Sequence, residues 1–70
     1  MEKEILIEGM HCEHCVEAVR NALEKISGVR NVEVDLNKNI AVVDTENVDD
    51  VVLAEAIETI GFEAINITEH

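Results

Sequence analysis

The chain predicts an α+β fold, a βαββαβ sandwich in which one four-stranded antiparallel sheet carries two helices on one face. Two observations predict it. The apolar residues alternate, shift to steps of three and four, return to alternation, and then run through the cycle again, as strands interleaved with amphipathic helices do. The two halves also echo each other, with Gly28 and Gly61 each closing a helix pattern ahead of an alternating stretch. At 70 residues the chain is expected to form a single domain over 1–70. A domain of this size buries roughly 60% of the surface its unfolded chain exposes and has little stability in reserve.

From Glu2 to Glu8, Ile5 and Ile7 fall on one side, and Gly9 permits a turn, so the segment reads as a strand entering a loop. From Glu13 to Ile26 the pattern is helical. Val16, Val19, Ala22, Leu23 and Ile26 form one apolar stripe, Glu17, Arg20, Asn21 and Glu24 face water, and Ser27-Gly28 supplies the stop. Val32, Val34 and Leu36 alternate with Glu33 and Asp35 as a half-buried strand. Asn37-Lys38-Asn39 is a turn that returns Ile40 to Asp44 as a hairpin partner of open register. Thr45 or Asn47 is the expected cap of a second helix, which has Asp49 and Asp50 in its first turn and runs through Leu53, Ala56, Ile57 and Ile60 to Gly61. Phe62, Ala64, Ile65 and Ile67 form the last strand. Both helices on one face of one sheet bury every stripe, so the ferredoxin-like sandwich is the economical arrangement.

The composition narrows the partners. Sixteen acidic residues against five basic ones give a net charge of −11, which argues against nucleic acid or an anionic membrane, both polyanions. All the basic residues, Lys3, Arg20, Lys25, Arg30 and Lys38, lie in the first 38 positions, so the segment from Asp44 onward carries acids alone. That segment reads as a solvated face, with steering toward a basic patch on a partner as the other reading. No apolar run approaches the roughly 20 residues of a membrane span, and Met1-Glu2-Lys3-Glu4 lacks the character of a secretion signal. A cytoplasmic protein without membrane insertion is expected. With 47% apolar residues, no proline and Phe62 as the single aromatic, the core is expected to be aliphatic.

Cys12 and Cys15, the only cysteines, stand in Gly9-Met10-His11-Cys12-Glu13-His14-Cys15, between the first strand and the first helix. A thiolate at a helix N-terminus is stabilised by the positive end of the helix dipole and by unpaired backbone N–H groups, and two neighbouring thiolates suit a soft cation. A disulfide between them would close too small a loop to act as a staple. A redox pair is the bland alternative, and the absence of any proline for a cis bond beside the thiols weighs against it. Met10 reads as core beneath the loop. His11 and His14 read as exposed, with His11 the candidate for an added ligand to zinc. No acid–base pair or activated hydroxyl accompanies the cysteines, and His70 stands at the far end, so the chain reads as a binding module and not an enzyme.

The motif Gly9-Met10-His11-Cys12-Glu13-His14-Cys15, supported by Gly28-Val29 and Ile60-Gly61-Phe62-Glu63-Ala64, resembles that of the heavy-metal-associated domain family. This family includes copper chaperones and the N-terminal metal-binding domains of copper-transporting P-type ATPases. The resemblance covers essentially the whole chain. It implies one Cu(I) held by Cys12 and Cys15 and passed by ligand exchange to a homologous domain of a metal-transporting ATPase. Two departures bear on the metal and the setting. His11 fills a position that is often Thr, Ser or Asp in relatives, which leaves Zn(II) open. Phe62 followed by Glu63-Ala64 is similar to ATPase domains, whereas bacterial chaperones commonly have Tyr there, so an ATPase segment is the second reading. A monomer is expected, with a metal-bridged homodimer as the alternative.

Overall fold

The computed structural model describes residues 1–69, so His70 lies outside the described residues. The elements follow as β1 (Glu2–Glu8), α1 (Glu13–Glu24), β2 (Val29–Asp35), β3 (Ile40–Thr45), α2 (Asp50–Thr59) and β4 (Glu63–Glu69). The strands form one antiparallel sheet in the order β2-β3-β1-β4. This is the βαββαβ sandwich that the periodicity predicts.

β1 lies inside the sheet, between β3 and β4, and its inward row belongs to the core shared with the helices. Ile5 pairs with Ala41 of β3 and Ile67 of β4. Ile5, Ile7, Val19, Leu23, Ala41, Val43, Leu53 and Ile57 are nearly inaccessible to water and form one core. The register of β3, open in the sequence, is set by burial: Ala41, Val43 and Thr45 point inward, while Ile40, Val42 and Asp44 alternate outward. At the hairpin turn the Asp35 carboxylate accepts the backbone N–H groups of Asn37 and Lys38, at 2.9 and 3.2 Å. The turn in turn anchors β1, since the Ile7 N–H donates to the Asn39 carbonyl at 2.7 Å.

Several boundaries differ from the sequence reading. α1 ends at Glu24, and the Ile26 N–H donates to the Leu23 carbonyl at 3.1 Å in a tighter turn, so Ile26 still packs on the core from outside the helix. Leu36 likewise packs from the turn. Neither Thr45 nor Asn47 caps α2. Thr45 closes β3, buried, with its hydroxyl donating to the Met1 carbonyl at 3.1 Å, and Asn47 adopts a left-handed φ of 59° in the connection. Asp49 takes the cap position in extended conformation, without a side-chain capping bond. Phe62 precedes β4 instead of opening it, and a bulge against Leu6/Ile7 turns Ile65 out to 49% exposure.

One polar group sits in the inward row of β1. Lys3 lies beside Ile5 and Ile7 at 8% exposure, and its ammonium donates at 2.7 Å to both the Val48 carbonyl and the Asp50 carboxylate. A cation at the N-terminus of α2 opposes the helix dipole, and Asp50 in the first turn offsets it. Lys3 thereby ties the centre of the sheet to the start of α2. Among the described residues no helix is long and apolar enough to cross a membrane.

Gly28 does more than end a helix pattern. At φ +98°, a Cβ there would sit 2.6 Å from the Glu46 carbonyl oxygen and 2.7 Å from Val48 Cγ2, where the chain leaving β3 crosses it. Gly28→Ala combines positive-φ strain with a backbone clash and is expected to cost about 2–4 kcal/mol in urea unfolding. A loss within experimental error of zero would show that the crossing relaxes freely. Lys3→Ala removes a packed stem together with two hydrogen bonds and is expected to cost about 2–3 kcal/mol. Asp50→Ala, which removes a carboxylate largely in water, is expected to cost about 1 kcal/mol. The reverse order in the same unfolding experiment would place the interaction in the carboxylate and not in the buried stem.

Candidate metal site

The site is built where β1 gives way to α1. Gly9 makes the turn at φ +113°, and a Cβ there would lie 2.9 Å from the Phe62 ring, so position 9 requires glycine for both backbone and space. Met10 then points inward at 4% exposure, as the sequence predicts, and roots the loop in the core. His11 is exposed. Cys12 is the N-cap of α1 in extended conformation (φ −155°, ψ 174°), and its carbonyl accepts the N–H groups of Cys15 and Val16 at 3.0 and 3.2 Å. The first turn of the helix therefore brings residue 15 back beside residue 12.

The two sulfurs stand 3.5 Å apart as free thiols. Their settings differ. Cys12 is exposed and its side chain makes no capping bond, whereas Cys15 is half-buried and packs against the core. The Cys15 thiol is held below the ordinary cysteine range by hydrogen bonding from the His11 backbone, then by the Cys12 thiol, against a smaller upward push from burial. A lowered value means that more of Cys15 is thiolate, the metal-binding and nucleophilic form, at a given pH.

The remaining candidates fall around this pair and not into it. His14 is exposed on the first turn of α1. Among the described residues no three His, Cys, Asp or Glu side chains converge on a common metal position, so neither His11 nor His14 joins the sulfurs in this arrangement. Phe62 is half-buried and packs on the core and on Gly9. The steric demand at Gly9 was not legible in the sequence, because its cause lies 53 positions along the chain (62 − 9).

The family model for the heavy-metal-associated domain matches residues 4–63. The chain belongs to that family. Its heavy-metal-associated domain is 41% identical over 66 residues to the copper chaperone CopZ of Enterococcus hirae, covering 91% of this chain and 96% of the relative. It is 45% identical over 65 residues to CopZ of Staphylococcus haemolyticus, with 90% and 96% covered. Among solved structures, a copper-binding domain from the P-type ATPase HMA7 superposes with a TM-score of 0.90 at 35% identity, covering 99% of this chain and 96% of that one. A CopZ metallochaperone superposes at 0.89 and 31% identity, with 93% and 100% covered.

Because the Cys12 thiol contributes to the low Cys15 value, Cys12→Ala is expected to move the thiolate titration of Cys15 upward in pH, read by thiolate absorbance or by the pH dependence of alkylation. An unmoved Cys15 midpoint would mean that the 3.5 Å contact carries no electrostatic weight.

Proposed function

We propose that this chain is a soft-metal carrier that binds one Cu(I) through Cys12 and Cys15 and transfers it by thiolate exchange to a homologous domain of a metal-transporting P-type ATPase. The observation that carries the reading is the pair of free thiols 3.5 Å apart on one helix turn, one rooted in the core and one exposed. Relatives that bear the name copper chaperone and align over nearly their whole length support it.

The chemistry follows from the donor set. Soft thiolates select Cu(I), and two donors leave a closed-shell ion open to a third, whereas structural zinc takes four ligands. At metal–sulfur distances of about 2.3 Å, a linear two-sulfur site spans about 4.6 Å, so uptake moves the sulfurs apart by about 1 Å. Cys12, exposed and without a side-chain cap, is the side that moves, while Cys15 stays seated. In transfer, an incoming thiolate adds to the ion to give a three-coordinate state. Cys12 leaves first, and a second incoming thiolate then releases Cys15. Each bond lost is replaced by one of the same kind, so the step is nearly isoenergetic and runs either way with partner affinity. The domain, taken as one unit over 1–70, acts in the cytoplasm as a carrier and not as a catalyst.

A second reading, the metal-binding domain of an ATPase, draws on the superposition with the HMA7 domain. It uses the same cysteines, and the gene separates the two, since an ATPase segment is followed in frame by membrane spans.

Anaerobic titration of the reduced protein with Cu(I), against a coloured chelator, is expected to saturate near one equivalent. Cys12→Ser is expected to weaken binding by about two orders of magnitude or more. Cu(I) binding indifferent to Cys12→Ser, or Zn(II) held tightly while Cu(I) is weak, would overturn the copper reading. In the zinc case, a selective loss in His11→Ala would bring that imidazole into the site.

A further inference from the structure

The helices cover one face of the sheet and leave the other open, and the end of that open face nearest the metal loop is not uniformly polar. Leu6 pairs with Ile40 across β1 and β3, and Val42 follows two residues on along the same row, all three pointing away from the core. Leu6 is 40% exposed, and Ile65, the extra residue of the β4 bulge, adds a further aliphatic group at 49%. Leu6 and Ile65 line one cleft that also reaches Gly9, Met10 and His11, so the patch is continuous with the back of the metal loop. An exposed aliphatic centre on an otherwise polar and acidic sheet face is the arrangement of a contact surface.

Its rim is acidic. Glu33 and Asp35 flank Val42 and Ile40 on the β2 side, and Glu8 and Glu63 face each other on the β4 side. The basic residues are elsewhere. Lys3 is buried, Arg20 and Lys25 lie on or just after α1, and Arg30 pairs with Asp44 and Glu46 at the opposite end of the sheet. Only Lys38, in the hairpin turn, stands near the rim. The charge decides between occupants. A second copy would set one acidic rim against another in a chain of net charge −11, and an anionic membrane or nucleic acid meets the same repulsion.

We propose that this loop-proximal part of the open sheet face is a docking surface for a protein partner that presents lysines or arginines around an aliphatic centre. The aliphatic row supplies contact area and the rim supplies orientation and rate of encounter, so binding weakens with salt without vanishing. The surface is separate from the thiol pair, and the proposal stands whether or not the metal reading does.

The test is a titration of the ¹⁵N-labelled apo protein with two synthetic peptides of equal charge, one alternating lysine and leucine and one alternating lysine and serine. The lysine–leucine peptide is expected to shift the amides around Leu6, Ile40 and Val42 and to bind about fivefold more tightly, the scale of one or two buried methylenes. Leu6→Lys and Ile40→Lys, each checked for native circular dichroism, are expected to weaken it by about fivefold or more. Val52→Lys, the same change of charge on α2, is expected to leave it within about twofold. Equal binding of the two peptides, or equal loss in all three variants, would reduce the effect to general attraction for an acidic protein and overturn the proposal. An apo dimer in sedimentation that Leu6→Lys dissolves would also overturn it, by making a second copy the occupant.

Discussion

Burial of the inward row of β1 is the constraint on which the rest of this structure depends. Ile5 and Ile7 lie at the centre of the sheet, with β3 on one side, β4 on the other and the apolar stripes of both helices above. A strand in that position cannot shift by one residue without turning its apolar row to water. Its end point is therefore fixed, and with it the turn at Gly9 and the place where α1 begins. The Ile7 N–H bond to Asn39 and the Phe62 ring against Gly9 hold the same point from two other parts of the chain.

The site inherits its asymmetry of burial from this arrangement. Met10 and Cys15 face the core while His11 and Cys12 face water, so one thiol is seated in the packing and the other is not. A thiol pair with one seated and one exposed member suits cargo that must be held and then released, because exchange can begin at the exposed sulfur. None of the inward core contacts runs through the Cys12 sulfur.

Charge is organised by face as well as along the chain. Along the sequence the notable contrast is between a first part holding every base and a second part holding none. In space, Lys3 is withdrawn into the core and Arg30 is occupied by Asp44 and Glu46, which leaves acids to dominate the open sheet. The surface ion pairs themselves contribute little to stability, since each is exposed and separated by about 3.6–3.7 Å. Their effect is on which surfaces remain available to a partner.

The sequence by itself determined the element order, the inward residues of β1 and α1, the position of the cysteines at a helix start and the burial of Met10, because each depends on local periodicity or on a neighbouring turn signal. It did not determine which residue caps α2, because Thr45 and Asn47 are as good as Asp49 by propensity. Strand pairing withdrew Thr45 into the sheet, and the connection put Asn47 into a left-handed conformation. Only the tertiary structure decided the register of β3, the inward lysine, the requirement for glycine at positions 9 and 28, and the 3.5 Å approach of the sulfurs with unequal burial. The physical reason is common to them all. Each is set by atoms from segments distant in the chain or by a backbone angle, and neither is encoded in the spacing of apolar residues along one segment.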